Sequence, residues 1–261
     1  MTPGNVNEKK LQYLERRISA LRARERIKDG DWLKICSEVF DDTTLLTIYK
    51  LFTDDTFATL DFPISTGKEG NVFCGTKQDG THVAVKIYRI GNATFNAISK
   101  YIVGDLRFKG IMGNRRKLIH AWAQKEYANL QDLYAAGVRV PQPLAFINNI
   151  LVMEYIGDES MPAPMLKNVR VDDPTDVYRQ VLGMAARAYQ KAQLVHGDIS
   201  EYNILMRGPE AVLIDCGQAQ RRGQPLAEEL LQRDAANIQR YFGKLGVKSD
   251  VDKILDYVRG G

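Results

Sequence analysis

The stretch His196-Gly197-Asp198-Ile199-Ser200-Glu201-Tyr202-Asn203-Ile204-Leu205 constrains this chain more than any other. It sets an Asp and an Asn five positions apart. A short apolar run, Ala211-Val212-Leu213-Ile214, follows and ends in a second acid, Asp215. Phosphate chemistry explains the spacing. One carboxylate, Asp198, has to meet an attacking hydroxyl or water. An amide oxygen, Asn203, and a second carboxylate, Asp215, have to hold a hard divalent cation against phosphates. An ordinary polar loop beside a strand uses the same residue types, so the pattern needs support from the rest of the chain.

The bulk numbers allow that chemistry and exclude little else. At 261 residues the chain makes one large domain or two lobes with a buried core. No apolar run is long enough for a membrane span, and Met1-Thr2-Pro3-Gly4-Asn5 leads into charge instead of the apolar core of a secretion signal. Cys36, Cys74 and Cys216 are far apart and fit no CxxC pattern, so reduced thiols and a cytoplasmic setting are expected. Residues 1–30 carry eight Lys/Arg against four Asp/Glu, which equals the whole net charge of +4. Residues 91–120 hold six Lys/Arg against the single acid Asp105. A solvated face is the plain reading of both stretches, and an anionic surface such as RNA is the sharper one.

Along the chain, residues 8–28 read as a helix with Leu11, Leu14, Ile18 and Leu21 on one side. Trp32 to Phe40 and Leu45 to Phe52 read as two more, the latter capped by Asp42 or Thr43. From Phe62 the pattern turns to strands. Ser65, Gly67, Lys68, Gly70 and Val72 form a turn and strand that allow close approach of phosphate, although the motif is neither GxGxxG nor a Walker A loop. Asp79-Gly80 signals a hairpin. In the next strand Val83, Val85 and Ile87 share one face, and Ala84, Lys86 and Tyr88 the other. A Lys in so apolar a strand needs an anionic partner or a solvated cleft. Val-Ala-Val-Lys matches the kinase strand whose Lys grips the α- and β-phosphates, with Ala84 leaving room for a flat base.

Residues 91–118 hold four glycines without a clear period and read as a long basic insertion. A helix from Ile119 to Ala136 carries Glu126, the expected ion-pair partner of Lys86. Ile150 to Gly157 is a strand running into a hinge. There the backbone around Glu154 and Ile156 would hold adenine, and Met153 would back the pocket. Asp173 caps a helix over 175–192, and helices over Ala227 to Phe242 and 249–258 close the chain.

Ser-Thr-Gly-Lys-Glu-Gly-Asn-Val-Phe (65–73), His-Gly-Asp-Ile-Ser-Glu-Tyr-Asn-Ile-Leu (196–205) and Leu-Ile-Asp-Cys-Gly-Gln-Ala (213–219) resemble the RIO family of atypical serine/threonine protein kinases. Lys-Tyr-Ile-Val-Gly-Asp-Leu-Arg-Phe (100–108) and Leu-Leu-Gln-Arg-Asp-Ala-Ala-Asn-Ile (230–238) extend the resemblance, which covers most of the chain from about residue 60. Short length and no recognisable winged-helix module point to a Rio1-type, archaeal member. The resemblance implies an α+β, two-lobed kinase-like fold. The expected divisions are an N-terminal helical extension over 1–60, a β-rich N-lobe over 61–156 and a truncated, mainly helical C-lobe over 157–261. It also implies ATP with Mg²⁺ or Mn²⁺, autophosphorylation or ATPase activity, and a role in maturing the small ribosomal subunit. The partner would be the pre-small-subunit particle, its rRNA and proteins, with no membrane involved and a monomer in isolation. Asp215 would be a possible phosphoryl acceptor.

Departures from ordinary protein kinases matter as well. Gly197 stands where His-Arg-Asp has its Arg, Ser200 replaces the catalytic-loop Lys, and Cys216-Gly217 replaces Phe-Gly after the metal Asp. The 46 residues after Asp215 contain no Ala-Pro-Glu. Two other readings compete. One is a small-molecule phosphotransferase of the aminoglycoside or choline kinase type, which also uses His-Gly-Asp, Asn and Asp but has a larger C-terminal lobe. The other is a non-catalytic assembly factor with ATP as a structural ligand, against which the complete set Lys86, Asp198, Asn203 and Asp215 argues.

Overall fold

A computed structural model describes residues 41–67, 70–90, 98, 101, 114–158 and 161–261. The expected helices over 8–28 and Trp32–Phe40, most of the basic stretch 91–118, and Lys68 lie outside the described residues. The chain divides into two compact units. Among described residues the first comprises 41–90, 114–123 and 144–155, and the second 98, 101, 124–143 and 156–261.

The first unit is built on a five-stranded sheet in the order β1-β2-β3-β5-β4. Helix α1 (Asp42–Thr53) precedes β1 (Thr59–Thr66), β2 (Gly70–Thr76) and β3 (His82–Tyr88). Helix α2 (Arg115–Ala135) follows, then β4 (Pro143–Ile147) and β5 (Ile150–Glu154). β2 and β3 pair antiparallel through the expected Asp79-Gly80 turn, where Gly80 takes φ 85°. Val83, Val85 and Ile87 pack with Ile48, Leu51 and Phe52 of α1 and with Phe73 and Val152, so α1 covers one face of the sheet. That leaves Ala84 and Lys86 on the other face, as the period-two pattern requires.

Polar bonds fix α1 in place. Asn149 Nδ2 donates to Thr44 Oγ1 (2.9 Å) and to Tyr88 O (3.0 Å), and Asn148 Nδ2 donates to Thr47 Oγ1 (2.9 Å). The cap of α1 is Asp41, one residue before the positions expected, because its carboxylate accepts from Thr44 N–H (2.8 Å). α2 begins at Arg115, four residues earlier than its apolar period suggests. Asn114 Oδ1 accepts from Lys117 N–H (3.0 Å) and opens the helix there.

In the second unit α3 (Pro174–Gln190) is capped by Asp173, as expected, through Thr175 and Asp176 N–H (both 3.0 Å). Two short strands, β6 (Leu194–Val195) and β9 (Gln220–Arg221), pair with each other. They flank the hairpin of β7 (Ile204–Arg207) and β8 (Glu210–Leu213). Helices α4 (Ala227–Lys244) and α5 (Val251–Arg259) follow, the latter capped by Asp250. A core of Val181, Ala185, Ala188, Leu231, Ile238, Ile254 and Val258 is buried along α3, α4 and α5. No helix among the described residues is long and apolar enough to cross a membrane.

Candidate functional site

The catalytic-type loop lies between β6 and β7, so the β7–β8 hairpin brings Asn203 and Asp215 back to its two ends. Ile214 N–H donates to Asn203 O (2.9 Å), which ties the residue before Asp215 to the loop. Asn203 Nδ2 donates to Asp198 O (2.9 Å) and to Asp198 Oδ2 (2.8 Å). The amide nitrogen is thus used within the loop, and the amide oxygen is left as a hard ligand atom. Asp215 has φ 63°, a left-handed backbone uncommon outside glycine, asparagine and aspartate. Burial raises the Asp198 pKa above the usual carboxylate value. The Asn203 bond and the charge of Arg233 oppose that shift, and the charge of Asp215 adds to it.

His196 and Asp234 hold this loop from behind. His196 Nδ1 accepts from Asp198 N–H (3.3 Å), so Nε2 carries the proton and donates to Ile214 O (3.2 Å). One buried ring therefore joins the catalytic loop to the strand that delivers Asp215. Asp234 of α4 accepts from Gly197 N–H (2.7 Å) and Ile199 N–H (2.8 Å). Arg233 Nη2 donates to Gly197 O and to Gln218 Oε1 (3.1 Å). Gly197 takes φ 80°, and a Cβ there would meet Leu230 Cδ1 at 3.0 Å. The left-handed turn under α4 accounts physically for a glycine at the position where ordinary kinases carry Arg.

Sequence reasoning gave Asp234 and Arg233 no role, although a signal was present. Leu230, Leu231, Asp234, Ala235 and Ile238 are all buried along α4, which puts a carboxylate inside an apolar stripe. Such a group needs internal partners.

Burial pushes the His196 pKa down to about 4. The folded value lies below the unfolded one, so the stability this ring contributes is present above about pH 6.5 and is lost as pH falls towards 4, about 3 kcal/mol for the full shift. Burial pushes Asp234 up to about 7, against the pull of its two N–H donors and Arg233. The folded state then takes up that proton before the unfolded one, so this group adds stability as pH falls over much the same interval. The two effects offset, and a direct reading of the ring is the clean test. ¹⁵N NMR of the imidazole should show His196 still neutral at pH 5. A protonated ring there would contradict this account.

In the first unit Val72, Ala84, Lys86 and Met153 share the sheet face away from α1, whereas Glu154 pairs with Val83 of the other face. Val72 pairs with Lys86, Cys74 with Ala84, and Ala84 with Met153. Lys86 is buried, with Nζ 5.1 Å from the centroid of the Tyr88 ring. Ser65 lies at the end of β1, and Gly67 just after it closes the turn, its N–H donating to Gly70 O (2.9 Å). Gly70 is also required inside the sheet, because a Cβ there would lie 2.5 Å from Ile87 O. Gly70→Ala should therefore force β2 away from β3 and lower thermal stability by several degrees. An unchanged melting temperature would show that the strand ends are free to separate.

Asp61, Cys74 and His82 bring potential ligand atoms within 4.8 Å on this same sheet. Thr76 Oγ1 donates to Asp61 Oδ2 and sits 3.1 Å from His82 Nδ1, and Thr59 Oγ1 donates to Asp61 Oδ1 (2.8 Å). These hydroxyls satisfy the group as a hydrogen-bonded network. The Cys74 thiol is pushed up to about 12, first by burial and then by Asp61.

Glu154 ends β5 in the first unit, while Glu126 of α2, Ile156, Asp198, Asn203 and Asp215 belong to the second. Glu126 is almost fully buried.

Sheet, helices and loop together are those of the protein-kinase class. The chain belongs to the RIO family within it, since the RIO domain model matches residues 71–254. It is 44% identical over 237 residues to the RIO-type serine/threonine-protein kinase Rio1 of Haloferax volcanii, covering 91% of this chain and 81% of that one. It is 34% identical to the Rio1 protein of Methanocaldococcus jannaschii, covering 98% and 87%. The human serine/threonine-protein kinase RIO1 is 34% identical, and the match spans 92% of this chain but 44% of that protein. Among solved structures, a Rio2 kinase–ADP/Mg²⁺–phosphoaspartate complex from Chaetomium thermophilum shares the fold. Its TM-score is 0.66 at 20% identity, covering 99% of this chain and 88% of that one. The expected α+β, kinase-like fold and the Rio1-type relationship are both found.

Proposed function

We propose that this RIO-type kinase uses ATP with Mg²⁺ or Mn²⁺ to phosphorylate serine and threonine hydroxyls, its own included, and hydrolyses ATP while acting in small-subunit maturation in the cytoplasm. The observation that carries the reading is the loop in which Asn203 donates to Asp198 while Asp215 closes the same hairpin. The oxygens of Asp198, Asn203 and Asp215 form a hard donor set. The charge of Asp215 raises the Asp198 pKa, a repulsion that a divalent cation would relieve. These residues therefore fit the cation, Asn203 and Asp215 being the ligands. When bound it would neutralise charge on the β- and γ-phosphates. Lys86 supplies the ammonium for the α- and β-phosphates, and Asp198 accepts the proton of the attacking hydroxyl or water.

Asp215 is also proposed as a phosphoryl acceptor, a reading supported by the phosphoaspartate named for the Chaetomium thermophilum Rio2 structure. A carboxylate oxygen would bond to the γ-phosphorus as the bond to the bridging oxygen breaks, and ADP would leave with that electron pair. Water would then release phosphate and a proton and restore the carboxylate. An acyl phosphate is cleaved by hydroxylamine and a phosphoserine is not. The full chain is incubated with [γ-³²P]ATP, quenched in acid and split with and without hydroxylamine. Loss of label to hydroxylamine, and its absence from folded Asp215→Asn, is expected. Label that resists hydroxylamine in full would leave Asp215 as a metal ligand and place the phosphate on Ser or Thr.

The ribosomal partner rests on the basic stretches and on the family. Arg115, Arg116 and Lys117 are all exposed at the start of α2, where Arg116 also reaches Asp41 (3.0 Å) and Thr43 (2.7 Å). Changing Arg115 and Lys117 together to Ala should flatten the salt dependence of binding to small-subunit rRNA by about 0.7–0.9 in log–log slope for each phosphate no longer neutralised. An unchanged slope would show that this helix start does not touch the RNA.

A further inference from the structure

Helix α2 buries Leu118, Trp122, Lys125, Asn129 and Leu133, one residue per turn along a single stripe. Two of the five are polar, and Lys125 is fully buried. A buried ammonium is tolerated only where it has acceptors, and those of Lys125 are informative. Lys125 Nζ donates to Gly217 O (2.7 Å) and to Ala219 O. One turn further along the helix, Asn129 Nδ2 donates to Cys216 O (2.9 Å) and Ala219 O (3.4 Å). Three of the four carbonyls that follow Asp215 are thus gathered onto one side of α2. The turn is tightened by Ala219 N–H donating to Cys216 O (3.3 Å).

The clamp begins at the residue after Asp215, which takes a left-handed φ of 63°. On its other side, the His196 and Asn203 bonds to Ile214 hold the incoming chain. Asp215 is fixed from both ends, and the outgoing half of that restraint is a cation and an amide from α2. We propose that Lys125 and Asn129 are positioning residues that set the Asp215 carboxylate for the metal–nucleotide complex. They act through the backbone of 216–219 and touch neither metal nor substrate. A buried ammonium that donates to two carbonyls also opposes any swing of this segment, since swinging would break both bonds. The inference rests on the reading of Asp215 as a metal ligand.

The test uses the full chain with ADP and Mn²⁺, followed by electron paramagnetic resonance, so it needs no turnover. Lys125→Met keeps the side-chain length and removes the donors. Asn129→Ala removes the weaker half of the clamp and serves if Lys125→Met does not fold. Either variant should weaken Mn²⁺ binding in the ADP complex, by about 10- to 100-fold for Lys125→Met, as loss of groups that orient a ligand does. Adenosine, which has no phosphate to share with the metal, should bind as to the parent chain. Lys125→Arg, which retains N–H donors, should recover most of the Mn²⁺ affinity. Unchanged Mn²⁺ affinity in the folded variants overturns the proposal. So does a parallel loss of adenosine and Mn²⁺ affinity, which would mark the clamp as a general support of the fold. If the parent chain binds Mn²⁺ and ADP but transfers no phosphate, the proposed reaction fails while the clamp is still measured.

Discussion

Asp198→Ala is expected to lower the rate of γ-phosphate transfer by about 10²- to 10⁴-fold while leaving ATP affinity close to that of the parent chain. In the proposed reaction the carboxylate would act on the proton of the attacking group, an interaction made in the transition state and absent from simple nucleotide binding. Asn203 Nδ2 donates to one of its oxygens at 2.8 Å and so holds the carboxylate in place within the loop. An acid limb of the rate–pH profile that reports Asp198 should vanish in the variant. Rapid-quench assays with saturating ATP supply both readings. A variant that turns over at the parent rate would show that another group takes the proton.

Asp234→Ala should be the most damaging single change outside the reacting groups. It leaves Gly197 and Ile199 N–H buried without their acceptor and removes the charge beside Arg233. Each buried donor left without its acceptor costs about 1–3 kcal/mol, and here the loss falls on the turn that delivers Asp198. The urea midpoint should drop substantially, and phosphate transfer should fall even under conditions where the variant is fully folded. Asp234→Asn retains one acceptor oxygen, so it should lie between the variant and the parent. If Asp234→Ala folds with parent stability and rate, α4 does not set the loop.

Much of the site was legible because its chemistry is local. Asp198, Asn203 and the hairpin leading to Asp215 lie within twenty residues, and hydrogen bonds within that segment bring them together. The face of β3 was legible for the same reason, since alternation alone separates Val83, Val85 and Ile87 from Ala84 and Lys86. What escaped was long-range. Asp234 reaches back 37 residues to Gly197, and Lys125 reaches forward 92 to Gly217. Nothing in a spacing rule links such positions. The sequence does hold the trace of both, a charged residue inside an apolar helical stripe, which implies a buried partner without naming it. β4 was missed because Pro143 reads as a loop signal. It is the first residue of an end strand, where a missing N–H is tolerated. The Asn148-Asn149 turn was missed because its acceptors lie on α1, more than a hundred residues away.

The most direct test of the account is a single-turnover experiment in which excess protein meets [γ-³²P]ATP and Mg²⁺, with choline or an aminoglycoside added in parallel reactions. The account predicts metal-dependent conversion to ADP, with label passing to the protein and then to phosphate, unaffected by the alcohols, and with transfer to hydroxyl or water slowed about 10²- to 10⁴-fold by Asp198→Ala. ATP recovered intact after binding, or label transferred preferentially to the small alcohol, would contradict it.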